Sequence, residues 1–297
     1  MKKSLVVVLV LATAGCGKAK PKEGIDPGQP EQGSAQGSAQ GSAQGSGSAV
    51  AAGSGSGSAT PIPVYTPTAD VPQAIKDAIA APDRDDADRR LDAGRKPGEV
   101  LAFFRVAPGE KIGEIFAGGG YTTELMARIV GPTGKVWAEN SKEINEKFAK
   151  KSFGERAAKP VMANVVAVEQ PLDDPFPAAA KDLDLVVTVL NYHDTVNFKT
   201  DRAKMNKEVF SHLKKGGYYG IVDSSAPDGS GTKDTETLHR IDQKVVETEV
   251  KAAGFKPAGE SSVLRNPDDK RDWNSSPHAA GEKRGTSDRF VLLFQKP

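Results

Sequence analysis

Ala117-Gly118-Gly119-Gly120-Tyr121 restricts the possible folds of this chain more than any other stretch. It stands between an apolar rise through Ile112 to Ile115 and the segment Thr122 to Val130, whose Leu125, Met126, Ile129 and Val130 recur at helical spacing. A strand, a glycine turn and an amphipathic helix form a place where backbone and a nucleotide-type cofactor can meet closely, because glycine has no Cβ to hold the ligand off. The residues that follow keep alternating between strand and helix. Strands are predicted at 135–140, 164–168, 182–190, 218–222 and 289–294. Helices are predicted at 143–151, around Met205, Val209 and Leu213 with Gly216-Gly217 as the stop, and over 235–253 with Gly254 as the stop. That order is an α/β sheet, and the unbroken apolar run of the fourth strand suits a position covered on both faces. Short helices over 71–80, 83–91 and 95–104 precede the first strand as an N-terminal helical extension.

In an open parallel sheet, ligands bind beyond the carboxyl ends of the strands. The residues at those ends are Glu114 to Tyr121, Glu139-Asn140, Asp173-Asp174, Asn191-Tyr192-His193-Asp194 and Asp223-Ser224, most of them polar. A carboxylate or amide ending the second strand is suited to ribose hydroxyls, whose hydrogen bonds either group accepts.

With these residues in view, the stretch from about 95 to 297 resembles the class I S-adenosylmethionine-dependent methyltransferases. The likeness rests on Glu114 with the glycine loop, Glu139-Asn140, Asp182-Leu183-Asp184-Leu185-Val186-Val187 and Leu213-Lys214-Lys215-Gly216-Gly217. Asp92-Ala93-Gly94-Arg95-Lys96-Pro97, Asn191-Tyr192-His193-Asp194 and Leu264-Arg265-Asn266-Pro267 are similar, more narrowly, to a group of predicted bacterial methyltransferases of unassigned substrate. The resemblance implies a Rossmann-like, doubly wound, mostly parallel seven-stranded sheet with the last strand antiparallel, and S-adenosylmethionine as cofactor. It implies that the loop Ala117, Gly118, Gly119, Gly120 and Tyr121 holds the cofactor, with Gly118 and Gly120 at its amino-acid end and Glu114 supporting the loop or the amino group. Glu139 or Asn140 would hold the ribose and Asp173 the adenine amine. Asn191 belongs to the same site, and Tyr192 would either stack on adenine or pack against the loop. His193 and Asp194 would sit beside the transferred methyl as the catalytic pair, since histidine titrates near neutrality and serves as a base. The common family pattern has glycine where this chain has Phe116, whose ring would either point into the core below the loop or narrow the cofactor site. His239 and Arg240, early on the helix predicted at 235–253, are either substrate-facing or part of a polar helix face. His212 and His278 have no paired spacing and no metal motif is present, so no metal is expected.

Two other readings fit parts of the same pattern. A nicotinamide-dependent oxidoreductase would use Gly118, Gly120 and Glu139, but its third loop position falls on Thr123, where glycine or alanine is needed for close helix packing. A non-catalytic envelope protein would reuse the fold for binding or scaffolding.

The N-terminus carries an address. Met1-Lys2-Lys3, the apolar run Leu5 to Leu11 and the small residues up to Cys16 read as a signal peptide over 1–16, and Ala14-Gly15-Cys16 resembles a lipobox, with Thr13 in place of the usual leucine. Cys16 is thus the expected lipid attachment and membrane anchor of an exported protein, and Gly17-Lys18 after it favours the outer membrane of a two-membrane cell. As the one cysteine, it leaves the rest of the chain without a disulfide. Residues 17–60 are a Gly/Ser/Ala/Gln linker in which Gly33-Ser34-Ala35-Gln36 recurs, a spacer with a reach of about 35–40 Å. Residues 61–297 form the methyltransferase-like domain. Its charges are interspersed, and over the whole chain 40 lysines and arginines stand against 39 aspartates and glutamates, so no nucleic-acid partner is expected. The substrate, small molecule or envelope component, has no signature.

Overall fold

The structure is a computed structural model that describes residues 64–297. The signal peptide, Cys16, the linker and the first three residues of the domain lie outside the described residues. Among those described, no helix is long and apolar enough to cross a membrane.

Three helices lead in. Helix α1 (Gln73–Ala80) follows Pro72 and buries Ile75, Ala78 and Ile79; α2 (Asp86–Arg95) ends at Lys96 in the left-handed region; α3 (Pro97–Phe103) starts on proline, which costs the first turn no hydrogen bond. The sheet strands are β1 (Lys111–Ile115), β2 (Lys135–Glu139), β3 (Val165–Val168), β4 (Leu183–Val189), β5 (Leu213–Ser224), β6 (Lys256–Ser261) and β7 (Arg289–Gln295). They form one seven-stranded sheet in the order β3-β2-β1-β4-β5-β7-β6. Neighbours from β3 to β5 pair parallel, and β7 runs antiparallel to both β5 and β6. The strand order reverses between β1 and β4, and at such a switch point the strand ends diverge into a crevice.

Both faces of the sheet are covered. Along β4, Leu185 and Val187 join an apolar cluster with Ile75, Leu101, Phe104 and Leu125, while Val186 joins the opposite cluster with Trp137, Met205, Val209 and Val250. Successive strand residues face opposite ways, so burial on both sides requires the unbroken apolar run seen in the sequence. The first cluster packs under α4 (Tyr121–Val130), the second under α8 (Arg202–His212) and α10 (Gln243–Ala252).

The structure departs from the sequence reading at several elements. Leu213, expected on the helix with Met205 and Val209, is extended and pairs with Leu183, so α8 ends at His212 and Gly216-Gly217 lie within β5. The helix expected over 235–253 is two helices, α9 (Thr235–Leu238) and α10, because His239 turns left-handed (φ 51°) and Asp242 caps α10 by accepting the Lys244 N–H at 3.0 Å. Between the two, Ile241 is fully buried and its N–H donates to the Ser224 carbonyl at 3.0 Å, so tertiary packing overrides helical propensity. Strand β6 was not read from its polar, largely exposed residues, which form a sheet edge. Tyr192 to Asp194 do not extend a strand end but open a short helix, α7 (Tyr192–Asn197).

Candidate functional site

At the carboxyl ends of β1 and β4 lies a cleft of about 600 Å³, within the range of small-molecule sites. Its floor is the loop after β1. Gly118 (φ 57°) has open space where a side chain would stand, whereas a Cβ on Gly120 (φ 81°) would come within 2.9 Å of Arg156 and 3.2 Å of Phe153. Gly118 thus keeps the floor open, and Gly120 is small because α6 (Lys150–Ala157) packs against the loop.

Phe116 takes a left-handed backbone (φ 55°), an unusual conformation for a bulky residue. The site holds it there from two sides: its N–H donates to Glu139 at 3.0 Å and its carbonyl accepts from the Asn191 amide at 2.8 Å. Its ring lies 8 % exposed in the lower apolar cluster and meets Phe198 edge-on, with centroids 5.8 Å apart. The ring thus enters the core and also borders the cleft.

Glu114 lines the cleft and takes a hydrogen bond from Thr123, and burial pushes its carboxyl up to about 7. Glu139 and Asn140 are not on the cleft wall. Both are buried and latch the loop, Asn140 by accepting the Gly118 N–H at 2.8 Å and donating to the Gly118 carbonyl at 3.1 Å. Burial raises Glu139 to about 8, and its second oxygen, Oε1, has no partner among the described residues. Asp173 falls in a separate groove that Phe198 also lines, 3.5 Å from Lys204. Tyr192 is fully buried, donating to Glu249 at 2.9 Å and accepting from Asn206 at 2.8 Å, and it belongs to the same apolar core cluster as Phe116 rather than to the cleft wall.

Glu139 has a consequence for stability. Its folded carboxyl is raised above the ordinary value of 4.5, so the folded state binds the proton more tightly and the favourable contribution is complete below about pH 4.5 and lost as pH rises through about 8. Unfolding titrations at pH 5 and pH 9 should show Glu139→Gln gaining stability relative to wild type by on the order of 4 kcal/mol at the higher pH. A difference that does not change with pH would mean that Glu139 is already ionised in the fold.

The opposite wall is built on Asp223 at the end of β5. Its fully buried carboxylate accepts the His193 backbone N–H at 2.7 Å and lies 2.8 Å from His193 Nδ1. Burial alone would depress His193, but the Asp223 charge and hydrogen bond outweigh it and raise the imidazole to about 9. His193 Nε2 lies 3.2 Å from His239 Nδ1 and 3.4 Å from Asp194 Oδ1, with His239 Nδ1 3.7 Å from the same oxygen. His239 reaches this cluster through the break between α9 and α10. Behind it, fully buried Arg240 donates to the Trp273 carbonyl at 3.0 Å, the Ser225 carbonyl at 3.1 Å and Asp269 at 2.9 Å, and Ser275 donates to the His239 carbonyl at 2.7 Å.

Among the arginines that line the cleft, Arg95 and Arg289 have no signature as site residues in the sequence. Arg289 donates to Ser287 at 2.9 Å and the Gly94 carbonyl at 2.8 Å, and burial with the nearby Arg95 charge lowers it to about 10. Arg95 lies over the Tyr121 ring at 4.4 Å, and neither arginine forms an ion pair among the described residues. Of the residues expected at the site, Glu114, Ala117, Gly118, Gly119, Tyr121, Asn191, His193 and Asp194 therefore share one cleft.

No family model matches the sequence. Among solved structures, a protein of Galdieria sulphuraria assigned as a sarcosine dimethylglycine methyltransferase aligns with a TM-score of 0.51 and 18% identity over 71% of this chain and 88% of its own. The cyclase SpnF aligns with a TM-score of 0.50 and 15% identity over 70% of this chain and 82% of its own. The fold is that of the class I methyltransferases. An S-adenosylmethionine-dependent methyltransferase from Aquifex aeolicus is also similar, at a TM-score of 0.49 and 15% identity over 70% of this chain and 98% of its own. Within this methyltransferase fold, the cleft occupies the switch point between β1 and β4, where such sheets bind ligands.

Proposed function

We propose that the chain is an S-adenosylmethionine-dependent methyltransferase acting on a small anionic acceptor. The observation that carries this reading is that the glycine loop with Glu114 and the cluster of His193, Asp194 and His239 open onto the same cleft. The residues fit the cofactor. Open space beside Gly118 accommodates its amino-acid end, and the unpartnered Glu139 oxygen, next to the Phe116 backbone, suits the ribose hydroxyls once the Phe116 ring shifts. Bound there, S-adenosylmethionine would supply a methyl group activated by its sulfonium. The chain's own task is alignment and proton removal. Asp194 lies where it can receive the acceptor's proton, His193, raised to about 9, can do so only above that pH, and Arg95 and Arg289 supply positive charge for a carboxylate or phosphate on the acceptor. The lipobox at Cys16 adds an envelope tether to this proposal.

Calorimetric titration of the full chain tests the reading. We expect micromolar affinity for S-adenosylmethionine and none for NAD. The contact between Phe116 and Phe198 favours a second reading, an envelope protein that keeps the fold without the cofactor, and failure to bind either compound would make it the leading one.

A further inference from the structure

His193, Asp194 and His239 surround a point at the cleft wall with one ligand atom each. Zinc binds imidazole nitrogen and carboxylate oxygen at about 2.0–2.2 Å, which makes the edge of a tetrahedron of such ligands about 3.4 Å. The three separations here, 3.2, 3.4 and 3.7 Å, bracket that edge. We propose that His193 Nε2, Asp194 Oδ1 and His239 Nδ1 form a binding site for a divalent transition metal, best matched to zinc, with its remaining position open to the cleft.

Three features favour this over a set of side chains hydrogen-bonded to each other. Asp223 lies 2.8 Å from His193 Nδ1 and holds a proton on that nitrogen, so a metal that displaces the other proton meets the Nε2 lone pair, on the atom that faces the other two groups. A carboxylate behind a ligating histidine is the usual outer support of such sites. His239 is presented by a left-handed residue whose carbonyl is held by Ser275 and whose neighbour Arg240 is fully buried, an arrangement that fixes the ring's backbone from behind. The set is also unlike the other close group of acids, Asp85, Asp88 and Glu124, where Arg156, Lys159 and Arg128 already supply the positive charge. Two imidazoles and one carboxylate with a vacant position suit zinc or iron(II) and make a catalytic rather than a closed structural set. The pairing is hidden in the sequence because His239 lies 46 residues from His193 and joins it only through the break between α9 and α10.

What the metal does rests on the methyl-transfer reading: it would polarise an acceptor oxygen beside the methyl group, so the acceptor atom is oxygen. Its binding does not rest on that reading. The test is titration of the full-length, chelator-treated protein with zinc chloride, followed by calorimetry, and with cobalt(II) chloride, followed by visible absorption. We expect one equivalent bound at micromolar affinity or tighter, weakened about 100-fold in His239→Ala and in the near-isosteric Asp194→Asn, and about 10-fold in Asp223→Asn. His278→Ala, at an exposed histidine outside the cleft, should bind as wild type does. Absence of saturable binding in the wild type, or equal affinity in His239→Ala and Asp194→Asn, overturns the site. Parallel titration with S-adenosylmethionine separates the two ideas: zinc binding without cofactor binding keeps the metal site and removes methyl transfer, and the reverse result removes the metal site alone.

Discussion

A Phe116→Gly variant is expected to bind S-adenosylmethionine about tenfold more tightly than wild type, a gain of about 1.4 kcal/mol, while becoming less stable. In the fold described here, the Phe116 ring borders the cleft and packs edge-on against Phe198, while its backbone N–H meets Glu139, fully buried at the end of β2. If the cofactor's adenosine half needs that space, the ring must leave Phe198 before binding is complete, and the measured affinity is reduced by the fraction of molecules in which it has done so. Glycine removes the ring and is at ease at φ 55°, so the open conformation becomes the resting one. Loss of a buried phenylalanine costs about 3–5 kcal/mol, and relief of the left-handed backbone returns about 1–2, so a net loss of about 2–3 kcal/mol is expected in denaturant titrations. Reduced stability with unchanged or weaker binding would show that the ring does not stand in the cofactor's path.

The second large effect is expected at Arg240. Its guanidinium is entirely enclosed, stacked over Trp273 at 4.7 Å and paired with Asp269, whose side chain is 1% exposed. Replacing it by alanine leaves a buried carboxylate without its counter-charge, together with two unmet carbonyls, and breaking such a pair costs about 3–5 kcal/mol. Asp269 keeps the Trp273 indole and the Asp288 and Arg271 backbone N–H groups, so Arg240→Ala with Asp269→Asn should recover part of the loss. Denaturation midpoints of the two single variants and the double variant measure this coupling. Simple additivity would mean that the two side chains act independently.

How far the sequence could be read depended on whether a feature was local. The glycine run and the helical spacing of α4 announce themselves within a few residues, and the run through β4 declares its own burial, so the sheet and the loop were legible. Strand β6, polar and at an edge, has no apolar alternation to reveal it. The hold that Glu139 and Asn140 exert on the loop could not be read, because sequence places them at a strand end but says nothing of the loop that folds back onto them. Tyr192 sat beside three cleft residues in the chain, yet the first turn of α7 rotates it into the core, toward Asn206 and Glu249. His239 and Arg240 were ambiguous for the same reason: their meaning depends on Asp242 and Ile241 ending a helix that local propensity would have continued. Arg95 and Arg289 meet at the cleft from opposite ends of the domain, and no spacing rule joins them.

The stretch between β6 and β7, residues 262–288, contributes Ser275, Ser276, Arg284 and Ser287 to the cleft wall, although it makes no ladder of its own with the sheet. Its two ends are fixed by a hairpin whose register is set elsewhere, by the pairing of β7 with β5. The part of the site that an acceptor would meet is therefore structurally separable from the part that the glycine loop forms. Changes in that one stretch would reshape this wall of the cleft, while the strand order and the loop beneath β1 stay untouched.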